Sequence, residues 1–307
     1  MQSLWMLFAS FLFAAMGVCV KLASDMFSTS EIVMYRGIVG VTVLLVLIRL
    51  QGGTLRTKFA LGHLWRSVVG VISLWLWFFS IAKLPLATAM TLNYLSPIWI
   101  AVWLFAHGWW HAKNDVSWPL LVAVGMSFVG VVLLLQPAFQ SDQLVYALIA
   151  IFSSILTAVA YMQVRKLGLA GEPENRVVFY FAVSNVVAGL IGTFAEAGGG
   201  PVVFHSLNSE YGFLLLLGIG LFATAAQVSM TRAYRLGNTL VVANLQYTGI
   251  VFSSIWGVLV FADKFDWHSW LGIGIILASG SAAAFYNTKN TERGKAVAST
   301  DPIASEV

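Results

Sequence analysis

Asn93, Tyr94 and Pro97 fall within five consecutive positions of an otherwise apolar stretch, and Asn244, Gln246 and Tyr247 crowd a second such stretch nearer the other end of the chain. Amides and phenols offer hydrogen bonds, but they offer neither a strong nucleophile nor a set of metal ligands. In hydrocarbon such groups are costly unless they meet a partner or line a wet cavity. The pattern therefore points to recognition of a polar solute, with hydrogen bonding between helices as the competing account. Pro97 adds a backbone effect: its missing N–H frees the carbonyl of Asn93, and its ring favours a kink. The spacing places that kink near the middle of a helix, with the free carbonyl and the Asn93 amide on one side.

Further candidates for the same cavity wall are Tyr161, Trp75, Trp77 and Arg36, with Gln163 and Gln227 behind them. Trp75 and Trp77 lie deeper than an interfacial belt requires and could stack on an aromatic or cationic solute, or simply face lipid. Arg36 could clamp a carboxylate, or instead snorkel or pair with Glu31. A wall otherwise free of charge favours neutral, hydrogen-bonding solutes. Bond-making chemistry has little support. The lone Cys19 cannot form a disulfide within the chain, no cluster of His, Asp, Glu and Cys has catalytic or metal-ligand spacing, and no GxxxxGK[ST] phosphate loop is present. No cofactor is expected.

These side chains must be positioned by membrane-spanning helices. Only 10% of the residues are charged, 59% are hydrophobic and the mean hydropathy is +0.84, far from the soluble average of about 25% charged. A span needs about 20 apolar residues, since the hydrocarbon is about 30 Å thick. That measure predicts ten segments, at 3–22, 31–50, 65–83, 86–106, 117–136, 143–164, 176–197, 211–233, 238–261 and 267–287. They are separated by breakers such as Gly52-Gly53, Pro85, Pro137, Gly171 to Pro173, Gly198 to Pro201 and Gly237-Asn238. Of the 17 Lys and Arg residues, only Lys21, Arg36, Lys83 and Lys264 fall on one side of the predicted topology. The other thirteen, Arg66 among them, place both termini in the cytoplasm and explain the basic charge without a nucleic acid partner. No Asp or Glu falls near the centre of a segment, which disfavours a proton relay through a buried carboxylate and leaves facilitated diffusion or coupling nearer the surface. Residues 288–307 are polar and are expected to form a disordered cytoplasmic tail.

The segments also repeat. Lys21-Leu22 and Tyr35 return 145 residues later as Lys166-Leu167 and Tyr180, and LPLATAMTLNYLSPIW has a weaker second copy in LGNTLVVANLQYTGIVF. Five spans per copy is an odd number, so the second copy enters the membrane from the opposite face. The expected fold is an all-α integral membrane protein with ten transmembrane helices in two inverted five-helix repeats, at 1–137 and 143–287. Such repeats enclose a site near the midplane that opens to alternate sides.

On these motifs the chain resembles the drug/metabolite transporter superfamily, in its EamA-type branch of ten-helix permeases. Gly249 departs from the pattern, since many second copies carry a proline there like Pro97. The resemblance implies a bacterial inner-membrane permease, monomeric or homodimeric and bathed in lipid. It would move small metabolites such as amino acids or aromatic compounds, chiefly outward. An importer of the same fold is the alternative, and a lipid-modifying membrane enzyme a more distant one.

Overall fold

A chain this apolar can satisfy its backbone polar groups in hydrocarbon only within helices or a closed barrel, and helices are what it forms. A computed structural model describes residues 2–84, 86–110, 118–136, 143–198, 204–205, 209–262 and 266–299. Pro85, Pro137, Gly199 to Pro201, Lys113, Lys264 and residues 300–307, named above, lie outside the described residues. After a short turn at Gln2–Leu4 come α1 (Trp5–Ala23), α2 (Thr29–Leu50), α3 (Ala60–Lys83), α4 (Leu86–Asn93), α5 (Ser96–Trp110) and α6 (Trp118–Leu135). Then follow α7 (Leu144–Leu169), α8 (Glu174–Glu196), α9 (Glu210–Leu236), α10 (Thr239–Gln246), α11 (Thr248–Phe261) and α12 (Trp267–Ser299). No strand occurs among the described residues.

Among the described residues, eight helical stretches are long and apolar enough to cross a membrane, counting α10 and α11 as one, and Met90–Ala106 is a shorter apolar run. The protein is thus a multi-pass membrane protein. Leu148, Phe152, Val187, Ile191 and Phe194 are exposed on its surface, an arrangement that suits lipid rather than water.

Local signals set the helix ends. Ser28 caps α2 through a reciprocal box: its hydroxyl accepts from the Glu31 N–H, and its own N–H donates to the Glu31 carboxylate. Asn238 starts α10 by accepting from the N–H groups of Leu240 and Val241 at 3.0 and 3.3 Å. Three boundaries differ from the sequence expectation by five residues or more. α3 begins at Ala60 rather than 65, α7 runs on to Leu169 rather than 164, and α12 continues to Ser299, so 288–299 is helical rather than disordered. In α7 and α12 polar residues carry the helix past the apolar run, because charged and amide side chains with long stems are good helix formers once a neighbouring turn exists. In α3 residues 60–64 hold no such side chain, and the first turn closes where the His63 N–H reaches the Phe59 carbonyl at 3.1 Å.

α2 packs chiefly on α8, α1 on α9, α3 on α7 and α6 on α12. The α2–α8 pair is antiparallel. Ser30 near the start of α2 donates to Glu196 at the end of α8, at 2.6 Å, and Asn175 at the start of α8 donates to Gln51 just beyond α2, at 3.1 Å. Glycines let these backbones meet: a Cβ on Gly37 would lie 2.7 Å from the Val186 nitrogen, and one on Gly189 would lie 2.6 Å from the Met34 nitrogen. α6 and α12 are also antiparallel, with the Gln136 amide donating to Asp266 at 2.9 and 3.0 Å.

Candidate solute-binding cavity

A cavity of about 270 Å3 opens among α1, α2, α3, α4, α7, α8, α9, α10 and α11. Its wall includes Arg36, Trp77, Asn93, Tyr94, Tyr161 and Gln246, six of the residues singled out by sequence, together with Gln227. Two helix breaks bring part of this wall together. The first falls at Tyr94 and Leu95 between α4 and α5, the second at Tyr247 between α10 and α11. At these breaks the Tyr94 ring packs against the Tyr247 ring behind the wall, their centroids 6.1 Å apart. Tyr161 and Tyr234 stack obliquely at 5.5 Å, and the Tyr234 hydroxyl donates to the Gln246 side-chain oxygen at 3.3 Å. The wall thus alternates aromatic faces with amide groups, which can hold the apolar body and polar substituents of one small molecule.

Four expected wall residues lie elsewhere. Asn244 is fully buried between helices: its oxygen accepts from the Ser127 hydroxyl at 2.5 Å, and its amide donates to the Ser279 carbonyl at 3.1 Å. It sits two positions before Gln246, a rotation of about 200° around a helix axis, so the two amides face opposite ways. Tyr247, one position past Gln246, is buried in the apolar core. Trp75 packs on α8 at Gly192, where a Cβ would overlap the indole. Pro97 is the second residue of α5 rather than a mid-helix kink, and in a first turn its missing N–H forfeits no bond. The second break forms without proline, by tight turns in which Tyr247 donates to the Asn244 carbonyl at 3.2 Å and Ile250 to that of Tyr247 at 3.1 Å.

Arg66 is the wall residue that sequence reasoning missed. Counted as a loop charge, it lies two turns inside α3 because the helix starts earlier than its apolar run. It is 3% exposed and lines the cavity. The expectation of a wall free of charge apart from Arg36 is therefore corrected: a second guanidinium group, that of Arg66, also borders the cavity. Arg36 does not pair with Glu31, whose carboxylate instead accepts from the Ser28 N–H and from both the backbone N–H and the imidazole of His205, each of the latter at 2.7 Å.

A second groove, between α5 and α7, is lined by Trp99, Trp103, Ile155 and Met162, with Gln163, Arg165 and Lys166 alongside. Its mainly apolar lining is what contact with hydrocarbon requires. Beyond the ends of the cavity, carboxylates are tied to histidines. Glu172, in the loop before α8, accepts from Thr57 at 2.7 Å and from Arg176 at 3.1 Å, and meets the His63 ring nitrogen at 3.1 Å. Burial alone would raise its carboxyl; these hydrogen bonds and the nearby guanidinium outweigh burial and hold it below the usual carboxylate range. No group of three or more His, Cys, Asp and Glu able to hold a metal occurs among the described residues.

A helical membrane protein with an aromatic and amide-lined cavity between its helices has the architecture of a small-molecule transporter. The EamA-like transporter family matches residues 1–136 and again 144–281, and the chain belongs to that family within the drug/metabolite transporter superfamily. Among curated relatives, the pseudopaline exporter CntI of Pseudomonas aeruginosa is 32% identical over 84% of this chain and 87% of its own length. An uncharacterized transporter of Helicobacter pylori is 30% identical over 89% of this chain and 91% of its own. A riboflavin transporter of Vibrio cholerae is 25% identical over 96% and 97%. These are names of transporters, not of enzymes. A solved crystal structure with 15% identity superposes with a TM-score of 0.77 over 92% of this chain and 98% of its own, which shows the shared fold.

Proposed function

We propose that the chain is a secondary carrier that exports small metabolites across the inner membrane by alternating access, with both termini in the cytoplasm. The carrying observation is one cavity walled by helices from both ends of the sequence. Counting α3 and the broken α4–α5 pair as spans gives ten, five in residues 1–137 and five in 143–287. The packing supports an inverted relation of these halves. Second spans α2 and α8 run antiparallel, as do fifth spans α6 and α12, while α1 on α9 and α3 on α7 are the two contacts that such a relation would exchange. The excess of Lys and Arg on one side supports the cytoplasmic placement of the termini. Export is favoured over import by the named exporter among the relatives.

The reading is tested by reconstituting the purified chain into vesicles and measuring flux of an amino acid, a nucleoside and an aromatic amine with and without a solute gradient. Counterflow of at least one solute class above empty vesicles is expected. Absence of flux for all classes in both orientations, with folded protein present, would overturn it. Export is checked in cells by comparing intracellular accumulation with and without expression, and greater accumulation on expression would instead establish import.

A further inference from the structure

Arg66 is held in an unusual state for a buried cation. It is 3% exposed, yet its Nε and Nη1 atoms have no hydrogen-bond partner, and neither it nor Arg36 has an ion pair among the described residues. Its guanidinium carbon lies 4.1 Å from the centroid of the Phe181 ring, so the ring covers one face of the group and leaves its edge for other partners. Arg36 enters the same cavity from α2, and no described Asp or Glu lines it. Guanidinium stays protonated in proteins, so both charges persist. A buried cation with a second, half-buried one on the same cavity and no counter-charge is costly to hold, and the cost is relieved when an anion reaches them.

We infer that Arg36 and Arg66 form an anion-recognition site in the cavity and that the transported solute is an organic carboxylate with an apolar or aromatic body. The inference rests on the reading of this cavity as the transport route. A carboxylate matches the flat fork of a guanidinium and accepts two parallel N–H bonds from it. Trp77, Tyr94 and Tyr161 supply surfaces for the body, while Asn93 and Gln246 can address its polar substituents. The cavity offers no described carboxylate to an ammonium group, which ranks simple amines below carboxylates.

The test uses the full chain in detergent and in vesicles, with hippurate, its neutral amide, benzylamine and inorganic phosphate as probes. Hippurate is expected to raise the melting temperature and to exchange across vesicles, with the amide and benzylamine at least about tenfold weaker. Arg66→Gln and Arg36→Gln are expected to remove this preference. Arg66→Lys, which keeps the charge and much of the stem, is expected to weaken hippurate by at least about tenfold while leaving the chain folded. Equal responses to hippurate and its amide, retention of the preference in folded Arg66→Gln, or phosphate acting as well as hippurate would each overturn the proposal. Failure of the carrier reading looks different: hippurate would bind with the stated preference while no solute crosses the membrane. Flux of a neutral or cationic solute that ignores both arginines would leave the carrier standing and remove the anion site.

Discussion

Asn93 and Asn244 carry the same amide to different ends. Asn244 has both ends of its side chain engaged by Ser127 and Ser279 and is fully buried, whereas Asn93 is half-buried on the cavity wall. Asn244→Leu should lower thermal stability by about 1–2 kcal/mol, the order measured for interhelical polar bonds in model membrane helices, with little change in the half-saturation for transport. Asn93→Leu should do the reverse. Melting curves in detergent alongside concentration-dependent flux separate the two, and a shifted half-saturation in a normally melting Asn244→Leu protein would place Asn244 on the solute path. Glu172 carries a pH dependence. Its carboxyl is depressed in the folded chain, so its stabilising contribution is complete above the ordinary carboxylate value of about 4.3 and is lost as pH falls below it towards the folded value. The wild-type melting temperature should therefore fall on acidification through that range. Glu172→Gln should melt lower at neutral pH yet show a shallower acid decline; parallel profiles for the two proteins would remove Glu172 from the acid sensitivity.

At the scale of elements, the α2–α8 crossing depends on backbone proximity rather than side-chain bulk. Gly37→Ala places a methyl group against the backbone of Val186, and overpacking of this kind costs about 1–3 kcal/mol. A lower melting temperature and poorer yield are expected, whereas Gly125→Ala, at a position with open space around its α-carbon, should melt like wild type. If both behave alike, close approach does not govern the crossing. The same elements show why some features were legible and others were not. Apolar runs bounded by Gly, Pro and Asn give span positions directly, because hydrocarbon thickness fixes their length. Rotation about each axis is another matter. A helix apolar on every side has no polar stripe to orient it, so nothing in the neighbourhood of Asn244, Gln246 and Tyr247 told which faces the cavity. Arg66 was hidden for a related reason: hydropathy marks where the apolar run begins at 65, whereas helix formation begins at Ala60. The helix breaks were legible near Pro97 by its chemistry, but the second one, at Tyr247, has no proline to announce it.

The whole molecule carries a carboxylate–histidine contact at each end. Glu31 on α2 meets His205, which precedes α9, while Glu172 before α8 meets His63 on α3. The antiparallel packing of α2 and α8 puts these contacts at opposite ends, and each joins a residue from before position 137 to one from beyond 143. A carrier that rocks one half against the other must part such contacts in turn, because solute cannot enter or leave past a joined end. In a Cys19→Ala background, which removes the one native thiol, the double variants Glu31→Cys with His205→Cys and His63→Cys with Glu172→Cys allow each end to be closed by oxidation or a short bis-maleimide. Closing either end should abolish solute flux while solute binding persists. Oxidised protein should regain flux on reduction, and each single-cysteine control should keep its flux under the same treatment. Full flux with either end quantitatively cross-linked would mean that the halves do not separate there, and the rocking mechanism would have to give way to one in which solute moves past stationary helices.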